Sequence, residues 1–148
     1  ERGFVFLDPY GLHVKMETIQ GIALTKALEI FVNFSIMAYN RTVGVPNPRK
    51  EDIKRMNEVM GDSEWRGEVT SAQFNFFENE VTYLNKHWSN LVSSYKKRLE
   101  KLFKFISTPL YMTNSRNAPL YALIFAGHNR TGKEIMEDII NKHKKGKQ

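Results

Sequence analysis

Two apolar runs separated by one helix-length segment constrain this chain most. Phe4-Val5-Phe6-Leu7 is apolar at every position and stops at Asp8-Pro9. A run without polar alternation reads as a buried strand of a parallel sheet, covered on both faces. Pro9 and Gly11 then force the chain into a loop, which leaves Asp8 at the strand's carboxyl end. Met16 to Lys26 follows as a helix, with Ile19, Ile22 and Ala23 as its apolar stripe. Leu28 to Phe34 is a second run, rich in β-branched and aromatic residues, and reads as a second buried strand. Strand, helix and strand at this spacing form a βαβ unit, whose crossover should be right-handed.

The rest of the chain extends that unit. The segment 40–70 looks like an insertion, broken early by Pro46 and Pro48. It carries a short helix over Glu51 to Met60, with Ile53, Met56, Val59 and Met60 on one side. Thr70 and Gln73 have capping-box spacing. Leu84, Trp88, Leu91, Tyr95 and Leu99 then mark one face of a long helix. Phe103 to Met112 and Leu120 to Ala126 are two more strands, joined by turn residues over Thr113 to Asn117. Strands joined so briefly must run antiparallel. A final helix over Gly132 to Asn141 leads into a basic tail, 142–148.

The expected fold is therefore α/β in a single domain, 1–148, with parallel strands ending in an antiparallel hairpin and a helical insertion. That order matches the second half of a Rossmann-like methyltransferase sheet. The sequence starts at Glu1 and enters a strand almost at once, so it reads as a portion of something longer. An incomplete sheet exposes a strand edge, and if the first half is absent Phe4–Leu7 is expected to pair there with another copy or a symmetry mate.

Composition narrows the chemistry. There is no cysteine, which excludes a disulfide framework, a thiolate nucleophile and Cys-ligated metal sites. No apolar run approaches the roughly 20 residues of a membrane span. No secretory signal is present, and a cytoplasmic location is expected. No His and carboxylate set has zinc-site spacing, so no metal is expected. The net charge of +6 favours acidic partners, nucleic acid first, although much of the excess sits on Lys142, Lys144, Lys145 and Lys147.

Asp8-Pro9-Tyr10-Gly11 is the motif that can carry chemistry. In open α/β sheets, ligands bind at the carboxyl ends of the strands. A carboxylate or carbonyl there can accept a hydrogen bond from an exocyclic amine and align its lone pair for attack on a methyl group. The Tyr10 ring can stack on a base taken out of its duplex or strand. The competing structural account is that Asp-Pro simply stops the strand and shapes the turn. A Gly-rich phosphate or cofactor loop, with an acidic residue about 20 positions on, is not found in this sequence.

The string Phe6-Leu7-Asp8-Pro9-Tyr10-Gly11-Leu12 resembles the start of the second half of the three-Cys-motif partner protein family. So do Phe31 to Met37 followed by Asn40-Arg41, Tyr95 to Leu99, Pro119 to Ala126, and Thr131 to Met136. The resemblance runs in order along the chain, apart from Pro46 to Val69. It implies a class I methyltransferase-like fold and the cofactor S-adenosylmethionine, whose main binding half would lie outside these residues. The family's Asp-Pro-aromatic-Gly motif is similar to that of tRNA guanine-N2 dimethyltransferases, and more distantly to the motif of adenine and cytosine amino-methyltransferases. Carried over, Asp8 and Pro9 would hold a target amine and Tyr10 would stack on it. Gly11, His13, Asn40 and Arg41 would contact the substrate. The second proline of the amino-methyltransferase motif is absent, which leaves a guanine amine or a non-base acceptor. The implied function is methyl transfer to a nucleic-acid base amine, with this chain alone inactive. The alternative is a non-catalytic binding module on the same fold.

Other candidates compete with plain packing. His87 lies on the long helix beside Trp88, and His128 with Asn129 follows the last strand. Trp65, Phe74, Phe76 and Phe77 could form an aromatic surface, but core packing explains them more simply. Lys96, Lys97, Arg98, Lys101 and Lys104 could form a basic stripe for nucleic acid, or a solvated face.

Overall fold

A computed structural model describes residues 2–70 and 80–145 of the chain. The described residues build a mixed, open α/β sheet with helices on it. Strand β1 (Gly3–Leu7) pairs in parallel with β2 (Leu28–Ser35), placing Gly3 opposite Leu28 and Leu7 opposite Val32. Helix α1 (Met16–Leu24) connects them and buries Met16, Ile19 and Ala23. It ends where the Thr25 hydroxyl donates to the Ile22 carbonyl at 2.7 Å and Lys26 takes a φ of 54°, turning the chain into β2.

Strand β2 passes directly into helix α2 (Ile36–Thr42), because the Ser35 hydroxyl accepts the Ala38 N–H at 3.1 Å as an N-cap. Helix α3 (Lys50–Met60) buries Met56, Val59 and Met60, and Gly61 closes it in the left-handed conformation, φ 84°. Helix α4 (Trp65–Thr70) and the long helix α5 (Glu80–Glu100) follow. The capping box at Thr70 and Gln73 falls partly on residues outside the described ones.

The expected strand over Phe103 to Met112 is two pieces, β3 (Phe105–Ile106) and β4 (Leu110–Thr113). The break falls at Ser107-Thr108-Pro109, where Pro109 has no N–H to give to a ladder. Ser107 spans the break. Its N–H donates to the Phe125 carbonyl at 3.0 Å, and its hydroxyl accepts the Phe125 N–H at 3.0 Å. The turn into β5 (Pro119–Gly127) has the expected chemistry. Asn114 Oδ1 accepts the N–H groups of Arg116 and Ala118, and Asn117 takes a φ of 58°. Helix α6 (Arg130–Lys145) ends the described chain.

Strand β5 lies between β2 and the β3/β4 line, antiparallel to both, so the sheet order is β1-β2-β5-β3 with β4 beside β5. One face carries Ile30, Val32, Phe34, Ala122, Ile124 and Ala126, and α1, α3 and α5 close over it with Ile19, Met56, Leu91 and Leu99. The Phe34 and Tyr95 rings meet there at 4.5 Å. The other face carries Phe4, Phe6, Phe31 and Phe125. There α6 packs against β5 and β3, and Phe125 and Ile140 are buried. Gly132, in the first turn of α6, lets the helix approach. A Cβ at this position would come within 2.7 Å of Glu29 Oε2 and 3.0 Å of the Phe125 ring.

The reading of Phe4–Leu7 as covered on both faces is corrected. β1 has one sheet neighbour, and Phe4 and Phe6 are 54% and 53% exposed. An all-apolar strand is buried on both faces only if helices cover both, and α6 packs mainly against β5 and β3.

Candidate functional site

The carboxyl ends of β1 and β2 lie side by side, and the Asp8–Lys15 loop crosses between β1 and α1. The parallel register, carried one residue past the strand, sets Asp8 beside Asn33. The Asn33 side-chain amide donates to Asp8 Oδ1 at 2.7 Å. Asp8 is exposed, and its other oxygen has no hydrogen bond among the described residues. The carboxylate is thus oriented from behind by a neutral donor, with one oxygen left toward solvent. The Asn33 Oδ1 atom is buried and also has no partner among the described residues.

The loop geometry depends on glycine at one point. Gly11 has a φ of 77°, a left-handed conformation that β-carbon-bearing residues adopt only at a cost. Its nearest prospective Cβ contacts, on the His13 ring, are at 3.8 and 3.9 Å, so dihedral strain and not crowding sets that cost. Leu12 tucks under the loop as part of the core. Tyr10 points away from everything: it is 95% exposed. Below the loop, a crevice is lined by Pro9, Gly11, His13, Asn33, Ser35 and Tyr95, among others. Tyr95 is fully buried there, and burial pushes its phenol's pKa well above the ordinary value.

The structure therefore lines one strand-end crevice with Pro9, Gly11 and His13, and leaves Asp8 exposed beside Asn33 and Tyr10 as a free aromatic blade. Asn40 and Arg41 lie exposed in α2, which starts where β2 ends. No hydrogen bond or ion pair joins them to the Asp8–His13 loop among the described residues. Arg41 sits in the last turn of α2, where a cation suits the helix dipole. Asn33 was missed by sequence reasoning. Its signal was an amide inside a mostly apolar strand, on the position that pairs across to Asp8.

The other candidate residues fall elsewhere. Arg98 does not belong to a basic stripe: it is 7% exposed and is held by Asp62 at 2.7 Å and Glu68 at 2.9 Å. Lys96 pairs with Glu100 at 3.3 Å, and Lys104 lies 5.5 Å over the Phe105 ring, while Lys97 and Lys101 are exposed. Trp65 packs in the core, the simpler of its two readings. It is 2% exposed, donates through Nε1 to Asn57 Oδ1 at 2.8 Å and meets Tyr39 edge-on. Phe74, Phe76 and Phe77, and the side chain of His87, lie outside the described residues.

His128 packs on the Phe103 ring, with Nε2 3.2 Å from the Ala23 carbonyl, which ties the end of β5 to α1. Asn129 accepts the Thr131 N–H at 3.1 Å and caps α6. Among the described residues, no cluster of three His or carboxylate groups could hold a metal ion. No helix among them is long and apolar enough to cross a membrane.

No protein-family model matches the chain, and no curated protein and no solved structure is detectably similar to it.

Proposed function

We propose that this chain forms the acceptor side of an S-adenosylmethionine-dependent methyltransferase-like domain that works on an amine of a nucleic-acid base. The observation that carries the proposal is the Asp8–Asn33 pair at adjoining strand ends, with the bare Tyr10 ring next to it. The sheet order, with the last strand inserted antiparallel between its neighbours, supports the same reading. A flat aminated ring can stack on Tyr10 while its amine donates to the free oxygen of Asp8. Asn33 holds the carboxylate in place for that contact, so the acceptor nitrogen is positioned rather than activated by a base.

The residues present do not build a seat for the cofactor. The loop after β1 contains one glycine, Gly11, and among the described residues no Gly-x-Gly-x-x-Gly turn leads from a strand into a helix. The proposed share of this chain in the reaction is therefore binding and orienting the acceptor.

Tyr10→Ala tests the stacking role. Stacking on one aromatic contributes roughly 1–3 kcal/mol per base, so the substitution should weaken binding of a guanine-containing single-stranded RNA about tenfold. Fluorescence anisotropy of a labelled oligonucleotide reads this directly. Tyr10 makes no packing contact that stability depends on, so unfolding should be unchanged. Equal affinity of the variant and the parent chain would remove the stacking role.

A further inference from the structure

We infer that the Tyr95 hydroxyl holds an ordered water under the Asp8–Lys15 loop, and that this water fixes the loop above the ends of β1 and β2. The loop's own backbone does not fix it. The Gly3 N–H donates to the Ala27 carbonyl, one residue before Leu28, which lies opposite Gly3 in the ladder. In a parallel pair this pattern repeats at alternate residues. Val5 and Leu7 therefore donate to Glu29 and Phe31, and the next donor in line, facing the Asn33 carbonyl, is residue 9. That residue is Pro9, which has no N–H to give. The ladder stops there and leaves the Asn33 carbonyl facing the end of β1. Beyond it, no backbone group from Tyr10 to Val14 makes a hydrogen bond among the described residues.

The loop is nonetheless tucked in. Leu12 belongs to the core and Val14 packs against it. Backbone groups carried inward in this way need partners. Tyr95 has the same need. Its side chain is 1% exposed, its ring meets Phe34 at 4.5 Å, and its hydroxyl makes no hydrogen bond among the described residues. A buried phenol hydroxyl normally finds a partner. The crevice brings these needs together, because Pro9, Gly11, His13, Asn33 and Tyr95 all border it. A water there can accept a loop N–H, donate to the Asn33 carbonyl and bond the phenol, which is roughly the two to four partners an ordered buried water requires. Tyr95 is then a positioning residue: it acts through the water on the loop that carries Asp8 and Tyr10. Holding the loop uses no feature of methyl transfer, and only the consequence for acceptor binding rests on the proposed function.

Tyr95→Phe removes the hydroxyl and keeps the ring, and NMR on the 148-residue chain reads the result. In the parent chain the amides of Gly11, Leu12 and His13 should have order parameters near about 0.85, as rigid backbone does, and in the variant these should fall below about 0.6. A nuclear Overhauser signal from bound water should reach these amides or the Tyr95 hydroxyl in the parent, and the amide signals should vanish in the variant. Guanosine monophosphate should bind the variant about fivefold more weakly. A mobile loop or no bound-water signal in the parent overturns the inference, and so does a loop equally rigid in the variant. The two parent measurements use no substitution, so they decide the matter even if the variant fails to fold. Equal affinity of both chains for guanosine monophosphate overturns the link from Tyr95 to the acceptor site. Guanosine monophosphate that binds neither chain counts against the proposed function, while the order parameters and the water signal still decide the role of Tyr95.

Discussion

Replacing Arg98 with methionine should lower the unfolding free energy by about 3 kcal/mol and flatten its dependence on acid pH. Arg98 is the hub between α5 and the segment that carries Asp62 and Glu68. Its Nε and Nη2 donate to Asp62 at 3.0 and 2.7 Å, and its Nη1 donates to Glu68 at 2.9 Å and to the Ser94 hydroxyl at 2.7 Å. Ser94 also hydrogen-bonds Glu68. Breaking a buried pair typically costs about 3–5 kcal/mol, because the remaining charge loses its partner without regaining all of its water. The side chains of Asp62 and Glu68 are 36% and 40% exposed, so solvent recovers part of that loss and the low end applies.

The acid dependence follows from the two carboxyls. Desolvation raises the Asp62 pKa, but hydrogen bonds and charge from Arg98, with the N–H groups of Glu64 and Trp65, outweigh it and hold it below 3.8. Hydrogen bonds from Arg98 and then Ser94 hold Glu68 below 4.5. Carboxyls depressed in the folded state contribute stability above their unfolded pKa values and lose it as pH falls through the folded ones. The parent chain should therefore lose this contribution below about pH 4, and Arg98→Met should show little of that slope. Urea unfolding at neutral and acid pH measures both. A change under about 1 kcal/mol, or an acid slope that survives the substitution, would mean that the network is a surface ornament.

Gly61→Ala should cost about 2–3 kcal/mol, from two separate causes. Gly61 closes α3 with φ 84° and donates its N–H to the Asn57 carbonyl at 2.7 Å. Alanine in that conformation carries about 1 kcal/mol of backbone strain. Its methyl group would also stand 2.9 Å from Met16 Cγ and 3.0 Å from Met16 Cβ. Met16 is 3% exposed at the start of α1, so relief requires repacking the α1–α3 contact. Gly21 is the control. It lies inside α1 with nothing within 4 Å of a prospective Cβ, so Gly21→Ala should stabilise by about 0.5–1 kcal/mol. Thermal unfolding of the two variants should move in opposite directions. A Gly61→Ala midpoint equal to that of the parent would show that the turn tolerates a side chain.

The sheet was largely legible because its strands differ so much from their surroundings. Leu28 to Phe34 and Leu120 to Ala126 are dense in apolar residues, and they became the central pair β2 and β5. The turn at Asn114 to Asn117 and the helix stripe through Leu91, Tyr95 and Leu99 were also local signals. Phe4 to Leu7 was misread because local sequence cannot say whether a helix will cover an apolar face. Arg98 was misread for a similar reason. Beside Lys96 and Lys97 it looks like part of a charge run, and its partners lie 36 and 30 residues upstream. The Ser107–Pro109 break was written in the proline but needs Phe125 to span it. Asn33 acquires meaning only once β1 and β2 are set in register, since one amide in a strand says nothing without its neighbour Asp8.

An NMR titration of guanosine monophosphate into the isotope-labelled chain tests the acceptor site most directly. Saturable shifts are expected at the amides of Tyr10, Gly11 and His13 and at the side-chain amide of Asn33, reduced in Asp8→Ala. Shifts confined to Lys96–Lys104 or to the C-terminal lysines would instead make the chain a charge-driven binder of phosphates. No shift at Tyr10, Gly11 or the Asn33 side-chain amide would contradict the proposed role of this strand end.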